Sequence, residues 1–206
     1  MYALITDGSI AKYLNGNRGI TLGDIQYPKS IFTLWTAAER EAIGIYEVVF
    51  NDSNKKDEQW YINTNQSFAF ADGVVTASFG SATAKAHADT LWTQQDSDDG
   101  DLPSDKSVGD VKVEGLKTTL IRTLKSQVAN ELARTDWYIT RNTEKSTAIP
   151  SAISTHRDAV RTKQAQMETA ITNASDTPAL ETLYTYTKQE DGSVTKPLGE
   201  LPTLES

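Results

Sequence analysis

The sequence predicts an α+β chain with a small N-terminal, mainly-β domain, an acidic linker, and a C-terminal helical hairpin followed by a β-like or extended tail. Three observations carry that prediction. Asp7-Gly8 and Asp72-Gly73 each separate two short strand-like runs, and both residue types tolerate the positive φ that a tight hairpin turn demands. Beyond residue 112 apolar residues recur every four positions, at Leu116, Leu120, Leu124, Val128 and Leu132, which lines them along one side of a helix. Between these regions Asp96, Asp98, Asp99, Asp101, Asp105 and Asp110 sit among Ser, Gly and Pro, opposed by Lys106. Such a stretch buries too little apolar area to offset its ordering entropy, so it reads as a linker. The implied boundaries are 1–92, 93–112, 113–175 and 176–206.

In chain order, the first six residues alternate up to the Asp7-Gly8 turn, and Ser9 to Leu14 forms the second strand of that hairpin. Residues 15–30, rich in Asn, Gly and Pro, read as a loop. Thr36-Ala37-Ala38-Glu39 has capping-box spacing and opens a short helix that Gly44 ends. Ile45 to Phe50, Trp60-Tyr61-Ile62, Ser67 to Ala71 and Val74 to Phe79 follow as strands, which together suggest a small sheet or barrel. Thr83 to Trp92 is Ala-rich and reads as a further short helix. After the first long helix, Trp137-Tyr138 and a polar stretch lead to Pro150, suited to the first turn of a second helix. There Ile153, Val160, Met167 and Ile171 form a narrow apolar stripe, and the two helices are expected to fold back on each other. The final segment, with Leu183 to Thr187 and Asp191-Gly192, reads either as a hairpin or as an extended tail. Its Thr-Tyr alternation, with Tyr184 and Tyr186, suits a strand that pairs with a neighbouring chain or a frayed terminus.

Composition narrows the function. Hydrophobic residues make up 38% of the 206, below the roughly 45–50% of typical domains by a count that also includes glycine, so thin cores or burial against partners are expected. A net charge of −8, with no basic cluster longer than Lys55-Lys56, disfavours nucleic-acid binding, which needs a basic footprint for the phosphate chain. The absence of cysteine removes disulfides, thiolate nucleophiles and Cys-based zinc sites. Met1 to Gly8 lacks the basic and apolar regions of a signal peptide, and no run suits a bilayer span. A soluble, cytoplasmically made protein, without membrane contact, is the expectation.

No motif for catalysis or a cofactor emerges. His87 and His156 lack an orienting partner at useful spacing. Asp96-Ser97-Asp98-Asp99-Gly100 places its glycine one position early for a calcium loop, and no glutamate closes it. Gly16 to Gly19 lacks the Gly-Lys-Ser/Thr of a phosphate loop. Phe68, Phe70 and Phe79 alternate as core residues do. Paired carboxylates in an apolar pocket, as glycoside hydrolysis needs, are not evident, so neither an enzyme nor a cofactor is expected.

The most informative element is Arg134-Thr135-Asp136-Trp137-Tyr138, followed by Arg141, Glu144, Ile149-Pro150, Arg157 and Val160-Arg161. Trp137 is expected to plug the corner between the helices, so that its truncation would loosen them. This element resembles the C-terminal segment of the phage tail assembly chaperone-like and tail fibre assembly families. Thr135-Asp136-Trp137 matches their corner, and His156-Arg157-x-x-Val160-Arg161 is similar to their second signature, with His and Val replacing an aromatic and a leucine. Met1-Tyr2-Ala3-Leu4 with Asp7-Gly8 resembles their usual start.

The resemblance covers about 75 residues and implies a non-catalytic role in tails. The expected partners are other tail or fibre subunits, contacted within an assembly in which the chain is itself a homo-oligomer. Two roles follow from it: a structural virion protein of the baseplate, tail tip or fibre attachment, or a fibre assembly chaperone absent from the mature particle. The expected partner-binding residues are Trp137, Tyr138, Arg141, Arg157, Arg161, Tyr184 and Tyr186. Arg157 and Arg161 are expected to serve partner contact more than folding.

Overall fold

A computed structural model describes residues 1–204 and divides the chain into two compact units, Met1–Thr83 and Ala84–Ser206. Positions 205 and 206, the end of the expected tail, lie outside the described residues. The chain is mixed α and β, with a curled sheet and several helices.

In the first unit, strands β1 (Tyr2–Thr6) and β2 (Ser9–Leu14) form a hairpin. Asp7 and Gly8 at its turn have φ of 50° and 73°, as the Asp-Gly dipeptide predicts. Residues 15–30 are not a plain loop: β3 (Ile20–Leu22) and β4 (Ile25–Tyr27) pair antiparallel across Gly23-Asp24. Two short helices follow, α1 (Ile31–Leu34) and α2 (Ala37–Glu41). The α2 capping box is formed: the Glu39 amide donates to Thr36 Oγ1 at 3.3 Å, and the Thr36 amide donates to Glu39 Oε2 at 2.7 Å. That second bond holds the Glu39 carboxyl below its usual pKa.

Strand β5 (Ile45–Asn51) lies at the centre of the main sheet. Then come β6 (Tyr61–Ile62), β7 (Ser67–Ala71) and β8 (Val74–Ser78), with φ of 50° and 77° at the Asp72-Gly73 turn. The sheet order is β2-β1-β5-β8-β7, antiparallel except for the parallel pairing of β5 with β8.

Because side chains alternate across a strand, the sheet carries two cores. Ala3, Val48, Val75 and Ala77 are buried on one face with Tyr46, Phe68 and Phe70 against them. Leu14, Ile45, Ile31 and Phe32 form the other core, where α1 covers the sheet. The outermost strands approach at Tyr13 and Phe68, whose rings lie 4.7 Å apart, and this contact curls the sheet.

The second unit departs from the sequence reading at its start. Residues 83–92 form no helix; they supply β9 (Thr83–Ala84) and β10 (Thr90–Leu91). Residues 93–112 are folded rather than a bare linker, with α3 (Gln94–Asp98) and then β11 (Val111–Val113), which pairs with β10. The stretch is ordered by polar bonds instead of apolar burial. Thr93 and Asp96 form a second capping box. The Trp92 amide donates to the Asp110 carbonyl, and the Gly109 amide to the Trp92 carbonyl, each at 2.8 Å. Lys112 pairs with Asp96 and lies 4.4 Å above the Trp92 ring. The Lys112 ammonium, followed by the Thr93 hydroxyl and amide, holds the Asp96 carboxyl far below its usual pKa.

The long helix α4 (Leu116–Ala133) begins where Asp89 accepts from the Gly115 amide at 2.6 Å and from the Thr118 hydroxyl at 2.8 Å. It packs against α6 (Ser151–Asn173), with α5 (Asp136–Lys145) between them in sequence. Leu124 and Val128 of α4 are buried, as are Ile153, Val160, Met167 and Ile171 of α6. The C-terminal segment opens as a helix, not a strand. Asp176 accepts from the Ala179 amide at 2.8 Å and Pro178 occupies the first turn of α7 (Thr177–Tyr184). Strands β12 (Thr187–Lys188) and β13 (Val194–Thr195) then make a hairpin around Asp191-Gly192.

Candidate functional site

The residues that the sequence singles out converge where α4 ends, α5 begins and α6 passes alongside. Helix α4 closes at Ala133, and Thr135, 2% exposed, precedes α5. The Thr135 hydroxyl donates to the Leu132 carbonyl at 3.0 Å. From α6, Arg157 Nη1 donates to the Leu132 carbonyl (2.8 Å), to Thr135 Oγ1 (2.7 Å) and to Asp136 Oδ1 (2.8 Å). A buried guanidinium thus satisfies one of the carbonyls that a helix C-terminus leaves open. It also meets the Asp136 carboxylate in the first turn of the next helix, where negative charge is favoured.

The neighbouring residue continues the clasp. His156 Nε2 lies 3.0 Å from Glu131 Oε1, and Arg134 reaches the other Glu131 oxygen at 3.1 Å. Burial opposes ionisation of Glu131, and its bonds to Arg134 and His156 outweigh it, leaving the carboxyl below its usual pKa. His156 therefore has the partner that its linear spacing hides, 25 residues away in sequence.

Two expectations are corrected here. Trp137 does not plug the corner: it is 51% exposed, and buried Thr135 and Arg157 fill that position. Arg157 is buried, and its Nη1 makes three hydrogen bonds within the fold instead of facing outward, because its long stem lets a cation on α6 reach the end of α4. Arg161, one turn further along α6, is exposed and pairs with Asp158 at 3.5 Å.

Beside the clasp Trp137 is exposed, while Tyr138 and Arg141 next to it are part-buried. The Trp137 and Tyr138 rings lie 3.7 Å apart with planes 32° from parallel, and the Arg141 guanidinium sits 4.7 Å from the first ring and 5.3 Å from the second. Neighbouring Ile139 is also exposed. Helix α5 brings this trio together, and Trp, Tyr and Arg are residue types enriched among the residues that carry protein–protein contact energy.

Tyr184 and Tyr186 belong to a different place. Tyr184 ends α7, and burial raises its phenol pKa, against the opposing pull of the Lys196 charge. Tyr186 is exposed; its hydroxyl donates to Glu200 Oε1 at 2.6 Å and accepts from Lys196 Nζ at 3.1 Å. Both bind the C-terminal segment to its own helix, where the Leu198 amide donates to the Leu183 carbonyl at 3.0 Å.

Among the described residues, no group of three or more His, Asp or Glu side chains could hold a metal ion. Among the same residues no helix is long and apolar enough to cross a membrane. Compared with family models, curated proteins and solved structures, the chain matches none.

Proposed function

We propose that this chain is a non-enzymatic structural component of a bacteriophage tail, located in the baseplate, tail tip or fibre attachment and acting through protein–protein contacts. The observation that carries the reading is the half-exposed Trp137, stacked with part-buried Tyr138 and Arg141 beside the Arg157 clasp. The residues that build this corner, Thr135, Asp136, Trp137 and Arg157, are the ones that resemble the tail-family segment. Their geometry gives that resemblance a physical content: a buried brace beside a half-exposed tryptophan.

The partners are other tail or fibre subunits, and several copies of the chain sit together in the virion tail after synthesis in the host cytoplasm. A layout of β unit, acidic segment, helical hairpin and tail places contact surfaces on separate elements. His156, buried, lies 3.0 Å from the part-buried Glu131 carboxylate within the clasp, an arrangement suited to bracing a helix end.

Mass spectrometry of purified, nuclease-treated phage particles tests the proposal. Peptides of this chain at a fixed ratio to the major tail protein are expected, and Trp137→Ala should lower that ratio while the protein stays folded. Absence from particles, with abundance in infected-cell lysate, would overturn the structural role and favour a fibre assembly chaperone.

A further inference from the structure

We propose that the first unit carries a binding site for an acidic sugar, built where the segment 15–19 arches between β2 and β3. A cavity of about 680 Å3 opens there, with Leu4, Leu14 and Phe32 at its apolar floor and Lys12, Asn15, Asn17, Arg18 and Thr21 among its polar walls. This lies within the size range of small-molecule sites, roughly 300–1,000 Å3. The site is independent of the helical corner and of the role assigned to it.

Charge is the first argument. The chain carries a net −8, yet the cavity is lined by two cations and by no carboxylate. In an acidic protein, such a local reversal selects an anion. Two cations match one carboxylate or phosphate, whereas a nucleic-acid chain needs a longer basic track and is repelled by the overall charge.

Unspent hydrogen bonding is the second. The side chains of Lys12, Asn15, Asn17, Arg18 and Thr21 are exposed and make no hydrogen bond or ion pair among the described residues, so a ligand would replace only water there. Amides both donate and accept, as sugar hydroxyls do, and an apolar floor suits the C–H face of a pyranose ring. A bare inorganic anion would leave the amides and that floor unused.

The third argument is that the wall is held in shape. Gly16, at φ +68°, packs so closely that a Cβ there would lie 3.0 Å from the Tyr2 ring and 3.3 Å from the Phe32 ring. At Gly19 a Cβ would lie 2.6 Å from the Tyr27 carbonyl oxygen, so the backbone there is pressed onto β4. Asn17 and Arg18 are thereby carried between two fixed points, which lowers the ordering cost of binding.

Calorimetric titration of the full chain with glucuronic acid, glucose 6-phosphate and glucose tests the site, with amide NMR shifts at residues 15–19 as a second readout. At least one acidic sugar should bind saturably, at least roughly tenfold more tightly than glucose. The tighter of the two identifies the carboxylate or the phosphate as the preferred anion. Arg18→Ala and Lys12→Ala should each weaken binding roughly tenfold without changing the melting temperature, and added salt should weaken it too. No saturable binding of either acid, equal affinity for glucose, or unchanged affinity in the double variant would each overturn the proposal.

Discussion

At the scale of single residues, the helical corner separates bracing from contact. Arg157 holds three oxygens from a buried position, while Trp137 is half in water and stacked on its own neighbours. Their truncations should therefore have opposite signatures. Arg157→Ala deprives the buried Thr135 hydroxyl and the Asp136 carboxylate of their donor, and should cost about 2–3 kcal/mol. Trp137→Ala empties no core and should cost less than about 1 kcal/mol. Urea denaturation of the two variants checks both, and a larger loss for Trp137 would reverse the assignment. The sequence makes Thr135-Asp136-Trp137 legible as a corner and Arg157 as its companion. It does not show which side chain turns inward, because that depends on how α6 lies against α4. The large aromatic was the natural choice for a plug, yet a threonine and an arginine occupy the space.

At the scale of elements, legibility follows the source of order. Elements fixed by local chemistry are readable: the Asp-Gly hairpins, the Thr36 capping box, and the apolar stripes of α4 and α6 all occur where the pattern puts them. Elements fixed by pairing or by polar bonds are not. The Ala-rich run 83–92 has helix propensity, but strand pairing with β11 overrides it at Thr90–Leu91. The aspartate-rich stretch is folded by caps and by the Lys112–Asp96 pair, features invisible to an argument from apolar content. Its stability should accordingly follow pH. The folded Asp96 carboxyl titrates below its ordinary value of 3.8, so the ionised form adds stability above that value and loses it as pH falls through the lower folded value. Asp96→Asn should melt below the parent at neutral pH, and the two melting temperatures should converge toward about pH 3 and below. Parallel melting curves across that range would show that the pair does not support the fold.

For the whole molecule, a thinly apolar composition is resolved by two separate units with several small cores. The cavity at residues 15–19 is not legible in the sequence, because its lining comes from β1, β2, β3 and α1 and matches no linear motif. In the sequence Asn15, Asn17 and Arg18 stand as polar residues around Gly16 and Gly19, but that they line one cavity depends on how β2, β3 and α1 come together.

The parallel pairing of β5 with β8 also dictates an order of assembly. Hairpins β1–β2 and β7–β8 close over short loops and can form quickly, but neither buries the core by itself. Strand β5 joins them, and its bond to β8 must wait for the excursion through residues 52–73 to be made and brought back. Closing that loop before any reward is the slow step expected of non-local strand pairing. During synthesis, the α1 side of the N-terminal hairpin can be covered once β5 has emerged, but the face of Ala3 waits for Val75 and Ala77 of β8. Val48, at the seam, should belong to the folding nucleus, so Val48→Ala should slow refolding more than it speeds unfolding. Stopped-flow chevrons would read this directly, and an effect confined to the unfolding arm would place the nucleus in one hairpin alone.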